Sequence, residues 1–187
     1  MSLKTVGLEN FYRLFYPVVP IVVTASNGSI NGGMAAISYL PLSFRPPRVG
    51  VSLSPGHSTY DLVKDSREFA LNWVDSALDE KVDFMGKVSG KTVSEKLSRS
   101  GFNLTEAKMI KAPVLNDAKA ILECSLADIH QFGDHDLFVG DVLIAYATED
   151  FDDYWKFFSY SPILYVGSGM EVHGKRKFAL LKTQSKD

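Results

Sequence analysis

The chain has 187 residues, 45% of them hydrophobic, enough for one substantial core and short for two, so a single domain over residues 1–187 is expected. A formal charge of −2 and a pI near 6.1 supply no positive field for gathering polyanions, which argues against a nucleic-acid partner. One cysteine, Cys124, excludes an intrachain disulfide framework and fits a reducing cytoplasm, and no apolar run is long enough to span a membrane.

In chain order, residues 14 to 25 imitate a signal-peptide core, with Lys4 and Arg13 before them and Ala25-Ser26 after. Pro17 and Pro20 interrupt that run, and the β-branched residues 20 to 24 predict a first strand instead. Asn27-Gly28 tolerates positive φ, so a tight turn leads into a second extended segment over residues 30 to 40. Pro46-Pro47 breaks regular structure; Val49, Val51 and Leu53 then alternate with Gly50, Ser52 and Ser54, a strand with one apolar face.

Ser58 or Thr59 caps a short helix running through Lys64, with Asp61 near its positive end, and Phe69, Leu71 and Trp73 resume strand alternation. Residues 75 to 86 and 93 to 100 read as helices, the second ended by Gly101. Residues 120 to 129 and 135 to 146 predict two longer strands around a turn at Gly133-Asp134; a last strand, 162 to 167, precedes the hairpin signal Gly167-Ser168-Gly169. Strands dominate, helices are grouped as insertions and no βαβ period recurs. A mainly β antiparallel barrel with attached helices is therefore favoured over a doubly wound parallel sheet.

Two stretches carry the chemistry. In the first, Asn31 to Ser38, Gly32 and Gly33 lack side chains and Ala35 and Ala36 have almost none, so a planar ring can lie along bare amides. The same residues equally suit two strands crossing closely at a barrel corner. In the second, SPGHSTYD at 54 to 61, the hydroxyls of Ser54, Ser58 and Thr59 stand beside backbone amides at a helix start, an anion cup or an ordinary helix cap. His57 reads as a loop residue. Histidines 57, 130, 135 and 173 show no ligand spacing, so no metal is expected. Cys124, between Leu122 and Leu126, reads as a buried, inert thiol. The aromatic run Tyr154, Trp155, Phe157, Phe158 and Tyr160 reads as core packing ahead of a dimer face or a lid.

The small-residue strand ending SYLPLSFRPPRVGVSLSPGHSTYDLV, then SGKTVSEKL at 89 to 97 and GDHDLFVGDV at 133 to 142, resembles the flavin reductase-like, FMN-binding split-barrel family, especially its flavoredoxin-type branch. The likeness runs over residues 15 to 170. It implies a six-stranded antiparallel Greek-key split barrel with helical insertions, a homodimer, and FMN near the subunit interface. It further implies that Asn31, Met34, Ala35, Ala36, Ile37 and Ser38 lie along the isoalloxazine, that Ser58 or Thr59 takes the phosphate, and that Lys96 helps neutralise it. His135, between Asp134 and Asp136, is then the catalytic candidate, close to the flavin and the nicotinamide approach. Ile37 stands where an aromatic residue is common, leaving Tyr39 or Tyr165 to stack on the ring; Glu95-Lys96-Leu97 stands where Asp-Lys-Phe is common. The activity implied is hydride transfer from NADH or NADPH to FMN and on to free flavin, a redox partner protein or another acceptor. An electron carrier with little nicotinamide activity is the alternative, or a barrel that binds some other ligand or a protein.

Overall fold

The computed structural model describes residues 3–167 and the backbone of 178–180. A 3₁₀ segment, Leu8–Phe15, buries none of its side chains and leads to β1 (Ile21–Ser26), which is buried along its whole length. The signal-peptide lookalike is thus divided between an exposed turn and a core strand. β1 reads as a continuous apolar run because both its faces are covered: Ile21, Val23 and Ala25 point into the barrel, and Val22 joins a second core outside it.

The turn at Asn27-Gly28 forms as expected. Asn27 Oδ1 accepts from the amides of Ser29 (3.1 Å) and Ile30 (2.9 Å), and Gly28 takes φ +88°. The extended segment expected over 30 to 40 is instead two strands, β2 (Asn31–Ala36) and β3 (Tyr39–Phe44), hinged at Ile37-Ser38. β2 pairs with β1, β3 pairs with β4 (Pro47–Leu53), and the Ser52 amide donates to Ser38 O at 2.8 Å. β4 starts on Pro47 itself, a first-residue position where the missing N–H costs little.

The chain continues through α1 (Ser58–Ser66), β5 (Glu68–Trp73), α2 (Asp79–Lys87), α3 (Lys96–Arg99), β6 (Leu104–Thr105) and β7 (Val114–Leu115). It then runs through β8 (Ala120–Phe132), β9 (His135–Ala147), β10 (Ile163–Tyr165) and β11 (Phe178–Leu180). The helix expected over 93 to 100 shrinks to the four residues of α3. The stretch before it is held by local bonds instead: the Lys91 amide donates to Ser89 Oγ (3.2 Å) and Thr92 Oγ1 to Ser89 O (3.0 Å). Within the helix expected over 75 to 86, a 3₁₀ turn at Ser76–Leu78 precedes α2. Two members of the hairpin signal, Ser168 and Gly169, and the histidine at 173 lie outside the described residues.

The main sheet has the order β2-β1-β5-β8-β9-β4-β3, every neighbouring pair antiparallel. Its two edge strands are consecutive in the chain, so the hinge at 37–38 closes the sheet into a barrel. The count of seven strands rather than the expected six comes from that hinge, which divides one bent strand in two.

Ile21, Val51, Leu53, Phe69 and Phe138 fill the barrel without measurable exposure, and Tyr60 and Val63 of α1 plug one end. A second core, with Val82 and Met85 of α2 and Leu97 of α3, clamps the helices onto the outer face of β1 and β2. Buried Asn72 stitches the layers. Its amide donates to Val22 O (2.9 Å) and Thr24 Oγ1 (3.2 Å), and its Oδ1 accepts from the Leu115 amide (3.0 Å). Glu123, fully buried, accepts from the amides of Lys108 (2.8 Å) and Met109 (2.6 Å) and from Tyr146 OH (2.7 Å). Cys124 is the buried thiol expected, pushed up to about 12 by burial and the Glu123 and Asp141 charges. The aromatic run departs from core packing: Tyr160 is buried, whereas Tyr154 and Phe158 are more than four-fifths exposed. Those side chains sit on an acidic surface loop beside Asp152 and Asp153, outside both cores.

At the barrel centre the Phe69 ring lies directly over Gly140, where a Cβ would stand 2.5 Å from Phe69 Cζ. Gly140→Val should therefore destabilise the fold by about 2–3 kcal/mol through overpacking, read as a lower urea midpoint at unchanged m-value; an unchanged midpoint would contradict this packing.

Candidate phosphate cup and flavin groove

A turn over residues 54 to 57 delivers the chain to α1. Ser54 Oγ accepts from the Gly56 amide (3.4 Å) and Ser54 O from the His57 amide (3.0 Å), so Ser54 shapes the turn and does not line the cup. The N-cap of α1 is His57, and it makes no side-chain cap bond. Ser58 and Thr59 are therefore the first two helical residues and not the cap expected. Their hydroxyls are not used to close the helix, and the first amides of α1 lack a side-chain acceptor.

Thr59 Oγ1 is fully buried and, among the described residues, is the one buried side-chain polar atom without a hydrogen-bond partner. Lys96, at the start of α3, is 5% exposed, and no ion pair or side-chain hydrogen bond holds its ammonium among the described residues. Desolvation pushes it down to about 8. The two groups line one cavity of about 160 Å³ with Met34, His57, Ser58 and Gly90. Gly90 makes the closeness possible, since a Cβ there would collide with Ser58 Oγ.

The surrounding charge is positive. Burial, then His135, Lys96 and Lys91, push His57 down from the ordinary histidine value, so its ring is neutral at pH 7. Lys91 Nζ stands 3.9 Å from Asp61 Oδ2, a pair half-open to solvent. An ammonium on a largely buried side chain, an orphan hydroxyl and uncapped helix amides converge on one small cavity, a donor set of the kind that suits a compact dianion.

The other candidates divide by position. Gly33 presses on β1, where a Cβ would be 2.6 Å from Val23 O, so the small residues here do serve close strand approach. Met34 reaches the cup, Ala35 packs toward Gly86 of α2, and Ala36 is buried in the barrel. Ile37 and Ser38 form the hinge, with Ser38 exposed. Asn31 lies apart, lining a groove with Leu104, Glu106 and Lys111. His135 is exposed at the start of β9, its Nδ1 3.0 Å from Asp134 Oδ1, and its field reaches His57 at the cup mouth. Asp136 turns inward and accepts from Tyr60 OH at 2.7 Å. Both stacking candidates are engaged elsewhere: Tyr39 OH donates to Val19 O (3.0 Å) and its ring meets Trp73 edge-on, while Tyr165 meets Tyr16. Residue reading passed over Gly90 and gave His57 to a loop. The signal for both was available, in a Ser-Gly ahead of Lys96 and in a polar residue directly before Ser58.

The family model for the flavin reductase like domain matches residues 11–172. The chain belongs to that family. This flavin reductase-like protein is 37% identical over 166 residues to an uncharacterized protein of Aeropyrum pernix, covering 88% of the present chain and 63% of that relative. It is 27% identical over 143 residues to a ferric-chelate reductase (NAD(P)H) of Archaeoglobus fulgidus, covering 76% and 82% of the two chains. Among solved structures, an FMN-binding protein from Thermus thermophilus with bound p-hydroxybenzaldehyde superposes with a TM-score of 0.77 at 30% identity, covering 90% and 92%.

The Lys96 ammonium has no counter-charge in the free protein, so it costs stability. Its folded value of about 8 lies below the ordinary 10.5, so the unfolded chain binds more protons between those limits and stability rises with pH across them. Lys96→Met should stabilise the ligand-free protein by about 1–3 kcal/mol at pH 7, and by less at pH 10. Urea unfolding at both pH values checks this, and a destabilised variant at pH 7 would contradict it.

Proposed function

We propose that the protein is an FMN-dependent NAD(P)H oxidoreductase whose cup takes the terminal phosphate of FMN. The observation that carries this reading is the Lys96 side chain, 5% exposed, whose ammonium lines the cup without a carboxylate partner beside the orphan Thr59 hydroxyl. A phosphate dianion satisfies both and completes the first turn of α1. Bound FMN supplies the redox chemistry, accepting a hydride from NADH or NADPH and passing electrons to free flavin, a protein partner or another acceptor.

The chain's own residues bind and orient. Lys96, Ser58 and Thr59 hold the phosphate, Met34 lies against the ribityl side, and residues 34 to 38 of β2 and its hinge give a floor for the ring. The exposed His135, oriented by Asp134, supplies a polar wall where the nicotinamide approaches. No side-chain nucleophile is needed for hydride transfer, and Cys124 is too deeply buried to act as one. The ferric-chelate reductase and the FMN-binding protein among the similar chains support the reading. A homodimer fits as well: Leu40, Leu42 and Phe44 of β3 are 46%, 40% and 85% exposed along one edge, an apolar surface suited to a second copy. Among the described residues no helix is long and apolar enough to cross a membrane, and the lone buried cysteine fits a reducing cytoplasm.

Purified protein should be yellow and release FMN on denaturation, and anaerobic NADH or NADPH should bleach the flavin band within turnover times. Yellow protein that stays oxidised with both nucleotides would contradict the reductase reading in favour of a carrier. Lys96→Ala should weaken FMN binding by about 10–100-fold, the worth of a hydrogen bond to a charged group. Equal affinity in a calorimetric titration would remove Lys96 from the phosphate site.

A further inference from the structure

The first turn of α1 opens on a histidine. His57 holds the N-cap position, where a serine, threonine or aspartate ordinarily turns its own oxygen onto the helix amides. Its main chain is fixed: the amide donates to Ser54 O (3.0 Å) and the carbonyl accepts from the Tyr60 amide (3.2 Å). The imidazole makes no cap bond, and among the described residues it has no hydrogen bond or ion pair. It lines the cup with Ser58, Thr59 and Lys96, at the same mouth as the orphan Thr59 hydroxyl.

The elements around the ring present cations to it. α3 brings Lys96, the loop ahead of α3 brings Lys91, the end of α2 brings Lys87, and the start of β9 brings His135. Three of these have carboxylates of their own: Asp61 stands 3.9 Å from Lys91, Asp83 pairs with Lys87, and Asp134 Oδ1 stands 3.0 Å from His135 Nδ1. Lys96 has none among the described residues, and Asp136, next on β9, is turned to Tyr60 OH. In the free protein a proton on His57 adds one more positive charge to this set, which is why burial and then His135, Lys96 and Lys91 hold the ring neutral at pH 7. A phosphate dianion reverses the sign of that field.

We propose that His57 is a further ligand of the phosphate and binds it as the imidazolium, so that the cup takes up a proton from solvent together with its anion. This rests on the phosphate reading of the cup. Water or buffer gives the proton, and a ring nitrogen holds it and donates to a phosphate oxygen in a charge-assisted bond. His135 already faces Asp134, so the added proton belongs on His57. Two other groups nearly cancel at pH 7: Lys96, at about 8 in the free protein, gains about a tenth of a proton, and an ester phosphate that ionises at about 6 loses about a tenth. At pH 8.5 Lys96 takes up most of a proton by itself. Linkage fixes the direction, since affinity falls with rising pH wherever binding takes up protons.

The test is calorimetric titration of the full chain with FMN and with riboflavin, in two non-phosphate buffers of different ionisation enthalpy, whose difference counts protons. At pH 7 the unaltered protein should take up about half a proton or more with FMN and none with riboflavin. His57→Gln should lose the FMN uptake at pH 7, keep that at pH 8.5 and bind FMN about tenfold more weakly, with riboflavin affinity within about twofold. His57→Arg, permanently charged, should restore FMN affinity to within about threefold without restoring the uptake. Uptake below about 0.2 proton in the unaltered protein at pH 7, or the same uptake in His57→Gln, would overturn the assignment and leave the FMN reading standing. Failure of FMN to bind the unaltered protein would overturn the FMN reading and the assignment with it.

Discussion

A lysine held largely out of water without a counter-charge is the constraint around which this site is arranged. Removing Lys96 from water disfavours its charged form, and inside a marginally stable domain such a cost persists only where something offsets it. On the proposed reading the offset is a bound phosphate. Thr59 Oγ1, fully buried and without a hydrogen-bond partner, points to the same kind of occupant, because a phosphate oxygen accepts from both an ammonium and a hydroxyl.

The fold supplies that arrangement through two features. The first is the hinge at Ile37-Ser38, which sends one extended segment to both edges of the sheet and closes the barrel. Closure places the start of β2 beside the first turn of α1. The second is the outer core, in which Val82, Met85 and Leu97 hold α2 and α3 against β1 and β2. Without that layer Lys96 would sit on a solvated four-residue helix with its ammonium in water. The two cores thus have separate tasks: the barrel interior fixes the floor, and the outer layer carries the cation to it.

Much of this was legible from residue order. The alternation of Val49, Val51 and Leu53 gave β4, and the Asn27-Gly28 turn formed with the side-chain bonds its chemistry demands. What local pattern does not report is long-range pairing. Nothing at Ile37-Ser38 marks a break, because the split is imposed by which partner each half finds. The short α3 and the free hydroxyls of Ser58 and Thr59 were likewise hidden, since Ser and Thr ahead of a helix ordinarily mean a cap. His57 displaced them from that role by a single residue. Asn31, marked by its place at the head of the small-residue strand, belongs to another groove, because side chains alternate across a strand and its own points away from the cup. Lys96 stood out only through the resemblance of its segment; the local pattern does not report its burial, next to Leu97 of the outer core.

The most direct measurement compares FMN with riboflavin in calorimetric titrations at pH 7, since the two ligands differ only in the phosphate. The account predicts that FMN binds at least thirtyfold more tightly, the gap corresponding to about 2 kcal/mol for the charge-assisted contacts at Lys96 and Thr59. Equal affinities for the two flavins would contradict it, because the buried ammonium would then have no part in holding the ligand.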